Sequence, residues 1–431
     1  MSKYKKIQAA LLGAGTVGGG VYKLLERRKA EMPEKIQAEF EISKVLVRSL
    51  GKKREGIPDE VLTDDWDSII KDPDISIVIE LMGGIEPART RILEALAAGK
   101  HVVTANKDLM AEHGKELMDM AEKHHCDLQF EAAVGGGIPI IRPLKECLAG
   151  NDITEVMGIV NGTTNYILTR MTEDGMDFED ALKKAQELGF AESDPTADIE
   201  GLDAGRKMAI LASIAFHSRV TFQDVDVKGI TKITAADIQY AKEFGYTVKL
   251  LGVARNINNE MEVGVFPMMI PSTHPLAKVN DSFNAVFVHG DAVDDAMFQG
   301  RGAGEFPTAS AVVGDVIATA RNMQYGCCGR IGCSCYKDLP MKSVGESKHR
   351  YFLRLLVEDR PGILAGIAGV LGNNGVSINQ VLQKVSVDGV AELVVITDKV
   401  EKRHLHDALM IFGEMSMIRQ VASVIRVYSQ K

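Results

Sequence analysis

No stretch of this sequence stays apolar for the ~20 residues that a helix needs to cross a bilayer. Met1 to Lys6 carries positive charge but runs straight into a short strand-like segment, without the apolar core and cleavage pattern of an export signal. A cytoplasmic location with no membrane partner is therefore expected. Positive charge is also scarce: 50 lysines and arginines face 59 aspartates and glutamates, a formal net charge of −9. A nucleic-acid backbone repels such a balance, and only the local run Lys52, Lys53, Arg54 opposes it, so no nucleic-acid partner is expected. Six cysteines in 431 residues are too few for a disulfide framework. That length suggests two to four domains.

What is present begins at Ile7–Leu12, an apolar run that reads as a buried strand and leads into Gly13-Ala14-Gly15-Thr16-Val17-Gly18. Val17, Val21, Leu24 and Leu25 then recur at helical spacing, with Lys23, Glu26, Arg27 and Arg28 on the other face. Strand, glycine turn and helix is the setting that a dinucleotide fingerprint requires. Gly13 permits the tight turn, Gly15 admits a pyrophosphate close to the backbone, and Gly18 lets the helix pack on the strand. The free N–H groups at the helix start, around Thr16 and Val17, would hold the pyrophosphate. A glycine turn without a ligand is the plain alternative.

Strand–helix alternation continues through Phe40–Val47, Ser76–Glu80 then Glu86–Ala98, and His101–Thr104 then a helix to Glu122. This predicts a doubly wound parallel sheet. An NAD site usually ends its second strand with a carboxylate for the ribose. Here that strand ends in Val47-Arg48-Ser49, with Lys52 and Lys53 following. Cations in place of a carboxylate favour NADP, with NAD still possible; a solvated basic loop is the alternative.

The most distinctive stretch runs from Ala185 to Leu211. Phe178, Ala181, Leu182, Ala185 and Leu188 form the apolar stripe of a helix ending at Gly189, where a left-handed cap residue belongs. A loop carries Glu192, Asp194, Asp198 and Glu200, and a second helix runs from near Leu202 to about His217. That helix is apolar on almost every side and should be buried. Asp203 and Lys207, four residues apart, share one of its faces. On a surface this would be an ordinary ion pair. On a buried helix the cost of desolvating both charges makes them catalytic candidates.

At this point the sequence resembles a known family. Ala185, Gly189, Phe190, Ala191, Asp194-Pro195, Asp198-Ile199, Gly201, Asp203 and Lys207 are similar, without a gap, to the signature of homoserine dehydrogenases. Thr104-Ala105-Asn106-Lys107, the run from Glu131 to Pro139, and Gly302-Ala303-Gly304 with Pro307-Thr308-Ala309-Ser310 resemble further segments of that family. The resemblance implies reversible reduction of L-aspartate 4-semialdehyde to L-homoserine by NAD(P)H, in threonine, methionine and isoleucine biosynthesis. A developing alkoxide needs a proton, and Lys207 as an ammonium can supply it. Glu192 and Asp203 match the family's substrate contacts, with Asp198 as a second contact or support. Lys107, just past a strand end, would orient substrate, touch the nicotinamide ribose or join proton transfer; a solvated lysine is the alternative. Gly189 and Gly304 join the implied cofactor contacts.

Glu131, Val134, Gly136 and Ile138 resemble the family's monovalent-cation site, a carboxylate plus backbone carbonyls suited to sodium. A glycine-rich crossover with unusual backbone angles would read the same. Aspartate-semialdehyde dehydrogenases share the glycine fingerprint but need a cysteine nucleophile with a histidine base. Cys126 and Cys147 show no such motif and read as buried structural thiols. An amino-acid-sensing regulator on a dehydrogenase frame, without turnover, is the other alternative. Intact Lys107, Glu192, Asp203 and Lys207 argue against it.

After Ser347 the pattern changes. Tyr351–Val357 reads as a strand, and Asp359-Arg360-Pro361-Gly362 as a turn with proline at a helix's first position. A helix Ile363–Leu371 follows, then strands Val376–Val387 and Val390–Thr397 joined by Asp388-Gly389, a helix over about Lys402–Phe412 and a strand Ser423–Tyr428. This βαββαβ unit, with Asp359 to Leu364 and Gly375 to Asn379, resembles an ACT domain. The resemblance implies paired modules and an amino-acid effector, L-threonine, with Asp359, Gly362 and Asn379 as contacts; dimerisation alone is the alternative. Before it, Cys327, Cys328, Cys333 and Cys335 crowd together without the paired Cys-x-x-Cys spacing of zinc sites. They could bind zinc or an iron–sulfur cluster, switch between thiol and disulfide, or stay reduced.

The expected architecture is α/β in three parts. Residues 1–135 form a Rossmann-type NAD(P)-binding domain, completed by a helix at about 306–325. Residues 136–305 form an α+β substrate and dimerisation domain, 326–347 a cysteine-rich linker and 348–431 the ACT domain. A homodimer or higher oligomer is expected.

Overall fold

The computed structural model describes residues 4–384 and 389–429. The chain divides into two compact units. The first contains the residues up to Val156, with Arg206–Val225 and Phe283–Leu339; the second contains Met157–Gly205, Asp226–Ser282 and the chain from Pro340 onward.

The first unit is built on six strands: β1 (Lys5–Leu12), β2 (Ala38–Leu46), β3 (Leu62–Thr63), β4 (Ile75–Glu80), β5 (His101–Thr104) and β6 (Leu128–Gln129). Their order is β3-β2-β1-β4-β5-β6, every neighbouring pair parallel. The central strands are covered on both faces, which explains their unbroken apolar runs. Strand order reverses between β1 and β4, so a crevice opens beyond the carboxyl ends of those strands, where ligands bind to such sheets. The helix Glu305–Tyr325 returns to this unit, and its Ala309, Val312, Val313, Val316 and Ala320 share a core with Leu11, Val21, Val45 and Ile77. Gly20 makes that approach possible. A Cβ there would lie 2.7 Å from Glu305 Cγ and 3.3 Å from Ala309 Cβ.

In the second unit the strands Tyr246–Ile257 and Glu260–Pro271 form a long antiparallel pair. The C-terminal module has the βαββαβ order: Lys348–Glu358, Ile363–Asn373, Ile378–Gln383, Val390–Thr397, Lys402–Glu414 and Ile418–Val427. Its last strand pairs with the first, antiparallel, and also with Glu260–Pro271, parallel through Met268 and Met269. The module is thus continuous with the sheet of its unit. Its own core gathers Leu353, Leu355, Ile367, Leu371, Val395 and Phe412.

Two local expectations are corrected. Proline does not occupy the first position of the module's first helix: Gly362, at φ +90°, caps a helix that begins at Ile363, and Pro361 lies in the turn before it. The buried helix ends at Ala215 rather than His217, because His217 takes φ +55° and cannot continue it. The expected Asp388 turn lies outside the described residues. Among the described residues no helix is long and apolar enough to cross a membrane.

Candidate active site

In the first unit the glycine turn has the shape that its composition suggests. Gly13 adopts φ +99° and its N–H donates to the Leu46 carbonyl at 3.0 Å. A Cβ at Gly18 would fall 2.1 Å from the Gly13 carbonyl oxygen, so helix Thr16–Arg28 needs glycine there. A Cβ at Gly15 would meet nothing within 4 Å. Gly15 precedes the helix with no side-chain cap, which leaves N–H groups near Thr16 and Val17 available to an anion. Beyond β2, Arg48, Lys52 and Lys53 are exposed, while Arg54 shapes their loop by donating to the carbonyls of Lys52 (2.6 Å) and Ser49 (3.0 Å). The loop beyond β2 thus presents exposed positive charge.

The rim of the same crevice is fixed by residues that sequence reasoning missed. Glu80, fully buried at the end of β4, accepts from the Met82 and Gly83 amides at 2.7 and 3.3 Å and from the Thr104 hydroxyl at 2.7 Å. Asn106 donates to the Gly84 carbonyl at 2.6 Å and caps the helix Lys107–Lys123 by accepting from the Leu109 amide at 3.1 Å. The loops after β4 and β5 are thereby tied together, with the half-buried Lys107 at the start of its helix. An asparagine just before a helical pattern is a signal that could have found the Asn106 cap; the Glu80 bonds leave none, because a carboxylate at a strand end shows nothing of what it accepts.

In the second unit, helix Phe178–Glu187 ends as expected. Gly189 takes φ +75°, its N–H bonds the Gln186 carbonyl (3.0 Å), and the Phe190 N–H bonds the Ala185 carbonyl (2.8 Å). The acidic loop follows. Glu192 is exposed, and Asp194 accepts from the Thr196 hydroxyl at 2.6 Å and the Thr196 amide at 3.1 Å, which strengthens its acidity. Asp198 and Asp203 come together on one residue that sequence reasoning missed. Asn161 Nδ2 donates to Asp198 Oδ1 at 2.6 Å and to Asp203 Oδ2 at 3.0 Å. Its Oδ1 meanwhile accepts from the Thr164 amide at 2.9 Å, capping helix Gly162–Glu173. One amide therefore orients two carboxylates, one of them buried. The helix Leu202–Ala215 carries Asp203 in the second unit and continues into the first with Lys207, which is half-buried.

The segments around Glu131 and Gly302, far apart in sequence, meet within the first unit. Gly135 and Gly136 take φ +73° and +55°, and a Cβ at Gly136 would lie 2.4 Å from the Gly302 carbonyl oxygen. Gly304, at φ +122°, starts helix Glu305–Tyr325. The Glu131 carboxylate accepts three amides, from Ile140 (2.6 Å), Ile141 (2.7 Å) and Arg142 (2.8 Å). Its side chain is thus engaged at the start of the next helical turn, and a cation beside Val134, Gly136 and Ile138 would draw mainly on main-chain carbonyls. The Glu131 amide donates to Asp315, whose other oxygen meets Arg142 at 2.5 Å.

Of the expected effector contacts, Asp359 and Gly362 are exposed. Asn379 is held between Arg350, which donates to it at 2.8 Å, and Asp398, to which it donates at 3.0 Å. All six thiols are free. Cys126 is buried, as expected, and burial pushes its thiol up to about 11. Cys147 is not: it lies exposed at the end of the turn Pro143–Cys147, a correction to its reading as a buried thiol. Cys328 lies with His101 and Asp127, their potential ligand atoms all within 4.8 Å. His101 Nδ1 accepts from the Asp127 amide at 3.0 Å, which leaves the neutral ring's proton on Nε2 and no lone pair for a metal. Asp127 is already bonded to the Asn322 side chain (2.8 Å) and the Gly329 amide (2.7 Å).

Three comparisons bear on this geometry. Family profiles described as homoserine dehydrogenase, homoserine dehydrogenase NAD binding domain and ACT domain match residues 139–317, 13–131 and 351–412. A homoserine dehydrogenase of Bacillus subtilis (strain 168) is 45% identical over 426 residues, covering 98% of each chain. A homoserine dehydrogenase structure from Thiobacillus denitrificans superposes with a TM-score of 0.93 at 39% identity, covering 99% of both chains. A hyperthermophilic archaeal homoserine dehydrogenase in complex with NADPH gives a TM-score of 0.63 at 27% identity, covering 73% of this chain and 97% of that one.

Proposed function

Because this chain belongs to the homoserine dehydrogenase family and is an oxidoreductase of that kind, we propose that it interconverts L-aspartate 4-semialdehyde and L-homoserine with NADP. It does so in the cytoplasm as a homodimer, and L-threonine inhibits it through the ACT module. The observation that carries the substrate reading is the Asn161 bridge, which presents Asp198 and Asp203 as an oriented pair of carboxylates. Such a pair, with the exposed Glu192 nearby in sequence, suits the α-ammonium of an amino-acid substrate.

A dinucleotide held at the Gly13–Gly18 turn would supply or accept the hydride. The protein's part is positional and electrostatic. Lys207 donates a proton to the substrate oxygen as it becomes an alkoxide, and its ammonium stabilises the charge that develops there. Lys107, held at a capped helix start, orients the same end of the substrate. Arg48 and Lys52 favour the 2′-phosphate of NADP, a preference in keeping with the NADPH-bound archaeal relative. Sodium at the Gly135–Gly136 turn, on the carbonyls of Glu131, Val134, Gly136 and Ile138, would stiffen the crossover.

Homoserine oxidation, followed by absorbance of the reduced cofactor, tests this reading. Wild type should turn over faster with NADP than with NAD, and Arg48→Ser should narrow that gap. Lys207→Ala should lose most turnover while still binding cofactor, and threonine should inhibit. Absence of turnover with either cofactor would overturn the proposal.

A further inference from the structure

Cys333 and Cys335 border a small cavity of about 40 Å³ within the first unit. Met110 and Met118 reach it from the helix that begins at Lys107, and Ile210 and Ser213 from the helix that carries Lys207. Lys145 and Arg219 bring positive charge to the lining. The Lys145 ammonium lies 5.2 Å from the centre of the Phe130 ring and 3.4 Å from the Gly332 carbonyl. Cys335 Sγ lies 3.6 Å from the Ser213 carbonyl.

We propose that Cys333 and Cys335 form a peroxide-reactive dithiol, with Cys333 as the attacking sulfur and Cys335 as the resolving one. The Cys333 thiolate attacks hydrogen peroxide and the O–O bond breaks. One oxygen stays on sulfur as a sulfenic acid; the other leaves as hydroxide, which takes a proton to become water. Cys335 sulfur then displaces the sulfenic hydroxyl, which departs with the Cys335 proton as a second water. One peroxide is reduced, two thiols are oxidised and one disulfide forms.

Electrostatics support the assignment of roles. The Cys335 thiol hydrogen-bonds to Cys333, and with the Cys335 amide and the Lys145 charge it holds Cys333 down to about 6, against burial and the Asp119 carboxylate. The same pairing, with burial, pushes Cys335 far up. Cys328 is pushed up to about 12 by burial, and a protonated thiol is a poor nucleophile. The cavity also accommodates the oxidant. Its volume has room for a molecule the size of one or two waters, such as hydrogen peroxide, beside the two sulfurs.

Full-length protein is treated briefly with hydrogen peroxide, alkylated and mapped by peptide mass. Two alkylatable thiols should be lost, at Cys333 and Cys335, linked in one peptide and restored by dithiothreitol. In Cys335→Ser a sulfenic-acid probe should label Cys333. Lys145→Met should shift the pH midpoint of Cys333 alkylation upward, and Lys145→Arg should restore it. Oxidation of Cys147 or Cys327 ahead of Cys333 would overturn the proposal. So would reaction with oxidised glutathione as fast as with peroxide.

Discussion

Arg354 Nε donates to Asp237 Oδ1 at 2.8 Å, with the Asp237 side chain fully buried and that of Arg354 only 8% exposed. Arg354 belongs to the first strand of the ACT module, and Asp237 to the helix Ala235–Glu243 of the same unit. The guanidinium also reaches Glu392 and the Thr234 hydroxyl, both at 3.1 Å, and Glu392 accepts from Tyr240 at 2.5 Å. The ACT module is therefore fastened to the helix beside it by a charge network whose centre, Arg354 and Asp237, is buried.

Breaking that network from one side should be costly. Arg354→Met leaves Asp237 charged and buried without its partner, a loss of about 3–5 kcal/mol. Arg354→Met with Asp237→Leu should recover much of it. Chemical denaturation of the two variants checks this, and equal losses in both would refute the pairing argument. Threonine inhibition should weaken in any folded single variant.

Acid should weaken the same unit through Glu262 and His349, which meet at 2.6 Å. Burial pushes Glu262 up, but the His349 bond and the charges of His349, Arg426 and Arg255 outweigh it and hold the carboxyl down to about 2. The unfolded chain then binds the proton first. Glu262 therefore contributes stability that is present above its ordinary 4.5 and lost as pH falls from there toward 2, on the order of 3 kcal/mol. His349 is held below its ordinary 6.5, chiefly by burial, so its linkage runs the same way and begins at higher pH. Thermal unfolding across acid pH should show this decline, and Glu262→Gln should lose the lower part of it.

Gly15 and Gly18, three residues apart in the same turn, should respond differently to the same methyl group. Gly15→Ala meets open space, so melting should be unchanged while dinucleotide affinity drops. Gly18→Ala drives a Cβ into the Gly13 carbonyl and should lower the melting temperature as well. Differential scanning fluorimetry with and without NADP separates the two, and matched melting points would sink the distinction.

Asn161 should separate capping from carboxylate orientation. Asn161→Asp keeps an oxygen for the Thr164 amide but replaces the donor to Asp198 and Asp203 with a third negative charge. Stability should fall little from loss of the cap. Turnover should fall about tenfold to a hundredfold, the loss expected of hydrogen bonds to charged groups worth about 1.5–3 kcal/mol. Homoserine kinetics beside a melting curve checks both.

Local signals were the legible ones. The Gly13–Gly18 turn, the Gly189 cap and the order of the ACT module each depend on residues close in sequence. Glu131 shows the limit. Its acidic side chain and the neighbouring glycines suggest cation ligands, yet the carboxylate is engaged by amides nine to eleven residues on. Lys249 shows it too: it reads as one more strand lysine but is buried, bonding the Val279 carbonyl at 2.6 Å and the Asn165 side chain at 3.1 Å. Burial lowers it to about 8. Gly136 against Gly302, and Asn161 against Asp203, need the fold before they can be seen.

The helix Glu305–Tyr325, seated on Gly20 and sharing the core of Leu11, Val21 and Val45, also sets a timetable for synthesis. A ribosome that has delivered all six strands of the first sheet has not yet delivered the helix that covers one side of it. For nearly two hundred further residues the nascent chain carries an apolar strip waiting for Val312, Val313 and Val316. Chains that stop early present that strip to one another, so truncated products should be the aggregating species and ready clients for a chaperone.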